Sequence, residues 1–125
     1  MDEIVNRKCK VLVIHPSEIL RLNIMASLRK SYFDKCETVT SIEDAKVMLK
    51  DDSYSWIIMP VFKSGEENSL KFLEWLQKDL KMCSIRVSLL VRTEEAEIIP
   101  YAMERGLLSW HSGTLNQADM SLDWE

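Results

Sequence analysis

The residues able to do chemistry in this chain are few and scattered. His15 and His111 are the two imidazoles, and Cys9, Cys36 and Cys83 the three thiols. The acids fall in short runs such as Glu66-Glu67 and Glu94-Glu95-Ala96-Glu97. A metal centre needs several such ligands at matched spacing, and a nucleophile needs a base within reach. The cysteines are odd in number, far apart and not in ligand spacing, which reads as reduced thiols in a cytoplasmic protein. Cys9 precedes the first apolar run, so it cannot serve a phosphate-cradling loop. There is no Gly-rich phosphate loop and no Ser-His-Asp set that falls into one pocket. His15, considered as a metal ligand or phospho-acceptor, lacks convergent partners and reads as a loop histidine. Glu94 to Glu97 reads as a solvated acidic segment at a helix start. These residues predict no enzyme, no bound metal and no cofactor.

The elements that must position them follow from apolar patterning. Val11 to Ile14 is an unbroken apolar run stopped by His15-Pro16, the pattern of a strand buried on both faces. Ser17 then caps a helix carrying Ile19, Leu20, Ile24 and Leu28, with a turn after Lys30. Cys36 to Val39 is a short second strand. Ser41 with Asp44 opens a second helix through Ala45, Val47, Met48 and Leu49. Trp56 to Met59 is a third strand closed by Pro60. Asn68 or Ser69 caps a third helix with Leu70, Leu73, Leu76 and Leu80 at helical spacing. Val87 to Val91 is the fourth strand. Thr93 is a possible cap for the next segment, but Pro100 makes that fourth helix short, starting near Pro100, or kinked. Gly106 ends it. Leu107 to Trp110 gives a fifth strand, and Asn116 to Trp124 begins a fifth helix. Five βα units predict a doubly wound five-stranded parallel sheet, order 2-1-3-4-5, with helices on both faces.

The chain has 125 residues, 46% hydrophobic and 29% charged, with a net charge of −4. That length suits one domain, read as a polar lead over 1–8 and a domain over 9–125. The acidic balance argues against a nucleic-acid surface, and no apolar run approaches a membrane span. The short stretch after the fifth strand is expected to reflect a domain excised from a longer protein or a truncated last helix.

The sequence resembles a receiver domain, the CheY-like phospho-acceptor module of bacterial response regulators, along nearly its whole length. The resemblance rests on KVLVIHPSEILR, on WIIMPVF with the helix from Leu70 to Leu76, and on VSLLV running to Ala102-Met103-Glu104-Arg105-Gly106. Ser17 and Arg21 match the family pattern. It implies that the acidic pair that holds magnesium falls on His15 and Pro16, and that the phosphorylated aspartate falls on Pro60. It likewise places the fourth strand's terminal Thr or Ser on Val91, the rotating aromatic on Trp110 and the family lysine on Gly113. The loop after Pro60 carries one extra residue and lacks the usual Met-Pro. Magnesium requires oxygen ligands, and none of His15, Pro16, Pro60, Val91 or Gly113 supplies a side-chain oxygen. Glu66 and Glu67, beside that pocket, read as a solvated pair rather than a restored cation site. The resemblance therefore implies a degenerate pseudo-receiver, the cytoplasmic regulatory domain of a larger signalling protein.

One surface stands out. With Ile98 and Ala102 facing the sheet, Ile99 and Met103 share an outward stripe, and Trp110 on the neighbouring strand extends it. In receivers the face formed by helix 4, strand 5 and helix 5 binds partners, which implies a protein partner or a homodimer there. The alternative expectation is a small-molecule sensor using the emptied pocket at His15, Pro60 and Val91.

Overall fold

A computed structural model describes residues 10–33, 35–63, 68–107 and 109–112. Five strands form one parallel sheet: β1 (Val11–Ile14), β2 (Cys36–Val39), β3 (Trp56–Pro60), β4 (Arg86–Val91) and β5 (Ser109–Ser112). Their order is β2-β1-β3-β4-β5, as the alternation of elements predicts. The crossovers carry α1 (Glu18–Lys30), α2 (Ile42–Asp51), α3 (Ser69–Gln77) and α4 (Ile98–Glu104).

The strands are apolar without interruption because both faces are covered. Leu12, Ile14, Ile57, Met59, Leu89 and Val91 point to the layer of α2, α3 and α4, with Phe72, Leu76 and Ala102. Val11, Val13, Trp56, Ile58 and Leu90 point to the other face, with Ile24 and Leu28 of α1. One buried polar thread crosses that second face. Trp56 Nε1 donates to Ser88 Oγ at 2.9 Å, and Ser88 Oγ lies 2.9 Å from Ser109 Oγ. At the amino ends of the strands, Lys10 pairs with Asp52, lies 3.6 Å from Glu37, and sits 5.2 Å over the Tyr54 ring.

The helix starts follow local side-chain chemistry. Ser17, Ser41 and Asn68 each accept an amide hydrogen bond from three residues on, which satisfies a first-turn donor. Helix α1 ends with Tyr32 in the left-handed region at φ 68°. The Phe33 amide then bonds back to the Leu28 carbonyl at 2.9 Å. The strained residue is held because Phe33 is fully buried against Trp56, their rings 5.4 Å apart. Helix α4 starts at Ile98, two residues before Pro100. Its first-turn amides have no helical partner, so the proline costs no hydrogen bond.

Several expectations need correction. Strand β5 begins at Ser109 rather than Leu107, because Gly106 (φ 96°) turns the chain and the Leu107 amide bonds back to Ala102. Leu107 is thereby a buried plug beyond the helix end. Leu80 lies past α3 and is 95% exposed, and Met82 enters the core in its place after a turn stapled by Asp79. Ile19 and Val47 point to solvent, so the apolar stripes of α1 and α2 are narrower than their composition suggests. The fifth helix expected over 116–124 and the lead over 1–8 lie outside the described residues.

Ile57 sits fully buried on the central strand between β1 and β4. Ile57→Ala should destabilise the protein by about 2–5 kcal/mol, read as a lower midpoint in urea unfolding.

Candidate functional site

In a doubly wound sheet, ligands sit outside the carboxyl ends of the strands. Here β1, β3 and β4 deliver three loops to one cleft of about 390 Å³. From β1 come His15 and Pro16, with Leu20 of α1 above them. The His15 amide continues the ladder to Val39 at 3.0 Å, and its carbonyl accepts from Arg21 Nη1 at 2.8 Å. The Ser17 amide donates to His15 Nδ1 at 3.0 Å. The proton of the neutral ring therefore sits on Nε2. Burial, and then the Arg21 charge, lowers the His15 pKa, so the ring is neutral at pH 7.

Strand β3 brings Pro60, registered with Leu90 of β4, then Val61 and Phe62. The fully buried Ser69 at the head of α3 fixes this turn. Its hydroxyl accepts from the Phe62 amide at 2.8 Å and donates to the Pro60 carbonyl at 3.3 Å. Strand β4 leads into Arg92 and a single 3-10 turn, Thr93–Glu95. Glu95 is only 7% exposed. Its carboxylate accepts from the Arg92 amide at 3.0 Å and from Arg92 Nη2 at 3.2 Å, with Lys63 Nζ at 3.7 Å. Burial pushes the Glu95 pKa up, but the Arg92 hydrogen bonds and both cations outweigh it, and the net shift is downward.

The structure thus brings His15, Pro16 and Pro60 together on one rim. Val91 is not there: its side chain lies in the α2–α4 core, and the strand's alternation puts Leu90 and Arg92 on the cleft. Gly113, Glu66 and Glu67 lie outside the described residues. Glu95 corrects the reading of Glu94 to Glu97 as a solvated run, because its carboxylate closes the turn internally and pairs with Arg92. The spacing of Arg92 and Glu95, three apart just after an apolar strand, was the available signal. Magnesium does not fit the described residues here. The prolines offer no side-chain oxygen, His15 is a poor donor for a hard ion, and the Glu95 carboxylate is committed to Arg92 and Lys63. Among the described residues, no three His, Cys, Asp or Glu side chains are placed to hold a metal.

On the outward stripe the structure divides the expected residues. Ile99 is half-buried and packs against the core together with Ile98, so it is not an outward anchor. Met103 and Trp110 are 51% and 42% exposed. Tyr101, two positions before Met103 and so on the opposite side of α4, is exposed beside Val61 and Lys63 instead. Trp110 is registered with Leu89, which faces the α2–α4 layer, so strand alternation puts Trp110 on the same side as α4.

The sheet order, the helical layers and the cleft at the strand ends define the flavodoxin-like fold of receiver domains. Solved structures of that fold superpose on most of the chain. One is the receiver domain of a signal transduction histidine kinase from Syntrophus aciditrophicus, 16% identical over 92% of this chain and 86% of that one, TM-score 0.78. Another is chemotaxis response regulator CheY4 of Vibrio cholerae, 17% identical over 94% and 96%, TM-score 0.78. A putative response regulator from Chloroflexus aurantiacus is 10% identical over 94% of each chain, TM-score 0.82. No family profile matches the chain, and no curated protein matches it.

The depressed pKa of Glu95 carries a sign. Its stabilisation is complete above its ordinary value near 4.5 and is lost as pH falls through the lower folded value. Between neutral pH and about pH 3, the wild type should lose stability more steeply than Glu95→Gln, measured by chemical denaturation at each pH.

Proposed function

We propose that this chain is a receiver-type signalling module that works without phosphorylation, through protein contact. The observation that carries this reading is Pro60 at the tip of β3, lining the same cleft as Pro16, where acyl-phosphate chemistry needs a carboxylate. A proline has no nucleophile to accept a phosphoryl group, and Glu95, the buried carboxylate among the described residues nearby, is paired with Arg92 and Lys63. The structural neighbours include histidine-kinase receivers and chemotaxis regulators, which supports a regulatory role within a larger, cytoplasmic bacterial signalling protein. One of them, the receiver domain of a Pseudomonas aeruginosa sensor kinase, holds magnesium in its active-site cleft. That ion has no counterpart in the ligand chemistry described here. The output surface is the α4–β5 face. Met103 and Trp110 are half-exposed apolar side chains of the kind enriched in binding cores. Its occupant is a protein partner or a second copy of the chain. Switching comes from that occupant shifting a conformational equilibrium.

Acetyl phosphate or beryllofluoride with magnesium should leave the amide NMR spectrum of the β3–α3 turn unchanged; a shift at Val61 or Phe62 would refute the reading. Met103→Asp and Trp110→Ala should each weaken self-association or partner capture by about tenfold, measured by sedimentation and crosslinking. Ile99→Asp should instead destabilise the fold, because Ile99 packs inward.

A further inference from the structure

The cleft at the strand ends has lost the character of an anion site, and the residues that replaced it are complementary to something else. Pro16, Leu20, Pro60, Val61, Phe62 and Leu90 supply apolar walls from three segments of chain. The two charged groups on its border, Arg92 and Glu95, neutralise each other at 3.2 Å. A phosphate or carboxylate entering there would meet the Glu95 carboxylate and would have to compete for Arg92. The remaining polar group is His15, whose Nδ1 is occupied by the Ser17 amide and whose proton therefore resides on Nε2. Among its described side chains, the cleft thus offers one neutral N–H donor within an apolar wall. Its volume of about 390 Å³ falls in the range of small-molecule sites, about 300–1,000 Å³.

We propose that this cleft binds an uncharged, mostly apolar small molecule carrying a hydrogen-bond acceptor. The apolar walls supply the driving force by removing the ligand's surface from water. His15 Nε2–H orients the acceptor. The cleft also adjoins α4. Val61 and Glu95 border both this cleft and a second groove formed with Ile98 and Tyr101 of α4. A ligand against Val61 therefore lies beside Ile98 and Tyr101, on the helix whose other side carries Met103. The binding step does not depend on the protein-contact reading.

The test is a fluorescence titration of the full chain with the neutral naphthyl ketone prodan, with inorganic phosphate as competitor. The expected result is a saturable blue-shifted emission at one site per chain, not displaced by phosphate. Leu20→Glu places a charge in the cleft and should weaken binding about tenfold. Ile19→Glu, on the neighbouring but 72% exposed position, should leave binding unchanged. Amide NMR shifts in the wild type should centre on Val61, Phe62 and Arg92, a readout that stands even where a variant folds poorly. Absence of saturable binding, displacement by phosphate, equal loss in both variants, or shifts centred on Met103 and Trp110 would each overturn the proposal. None of these outcomes changes the response to phosphorylating reagents, so the two readings fail separately.

Discussion

Two-sided burial of the central strands is the constraint on which the rest depends. Every residue of β1, and β3 up to Met59, is closed off from solvent, so each must be apolar on both faces. Polar chemistry is thereby confined to the strand ends, where the chain leaves the sheet. At the amino end, Lys10 pairs with Asp52 and Glu37, and the Tyr54 hydroxyl donates to Glu37, in a cluster with one net negative charge. At the carboxyl end, His15, Pro16 and Pro60 terminate the strands without contributing a charge. A scaffold of this kind can change the chemistry at its rim while its interior stays the same. That is how this fold is compatible with a cleft whose described residues do not supply magnesium ligands.

Much of the fold was legible because it is encoded locally. Prolines stopped β1 and β3, and Ser17, Ser41 and Asn68 marked helix starts through hydrogen bonds spanning three residues. Those signals need no knowledge of the rest of the chain. The start of β5 was not legible in this way. The left-handed Gly106 and the Leu107 amide bond to Ala102 are geometric facts that an apolar Leu-Leu pair does not advertise. Leu80 and Met82 exchanged roles for a similar reason: the Asp79 turn, rather than helical spacing, decides which of them reaches the core.

The candidate site was legible in half. His15, Pro16 and Pro60 fell together because each sits at a strand end that patterning locates. Val91 was misplaced by one residue, and in a strand one residue is the difference between the two faces. Glu95 was missed because its ion pair with Lys63 is distant in sequence and its burial depends on the path of the chain after β4. An acidic run looks solvated until the turn of its own backbone draws one member inward, as Glu95 accepts from the Arg92 amide. That turn changes Glu95 from a surface charge into a fastening between the turns after β3 and β4.

The hydroxyl thread from Trp56 through Ser88 to Ser109 has a further consequence for the outer edge of the sheet. Backbone ladders alone tolerate slippage in steps of two, since such a shift restores the facing of every side chain. If β5 slid by two positions against β4, His111 would replace Ser109 opposite Ser88, and the relay of small hydroxyls would be broken by a bulky ring. The indole and its two serines thus act as a key cut for a single alignment. They index the exposed margin of the domain from within, and the margin that bears Trp110 cannot creep along its neighbour without unlocking the core.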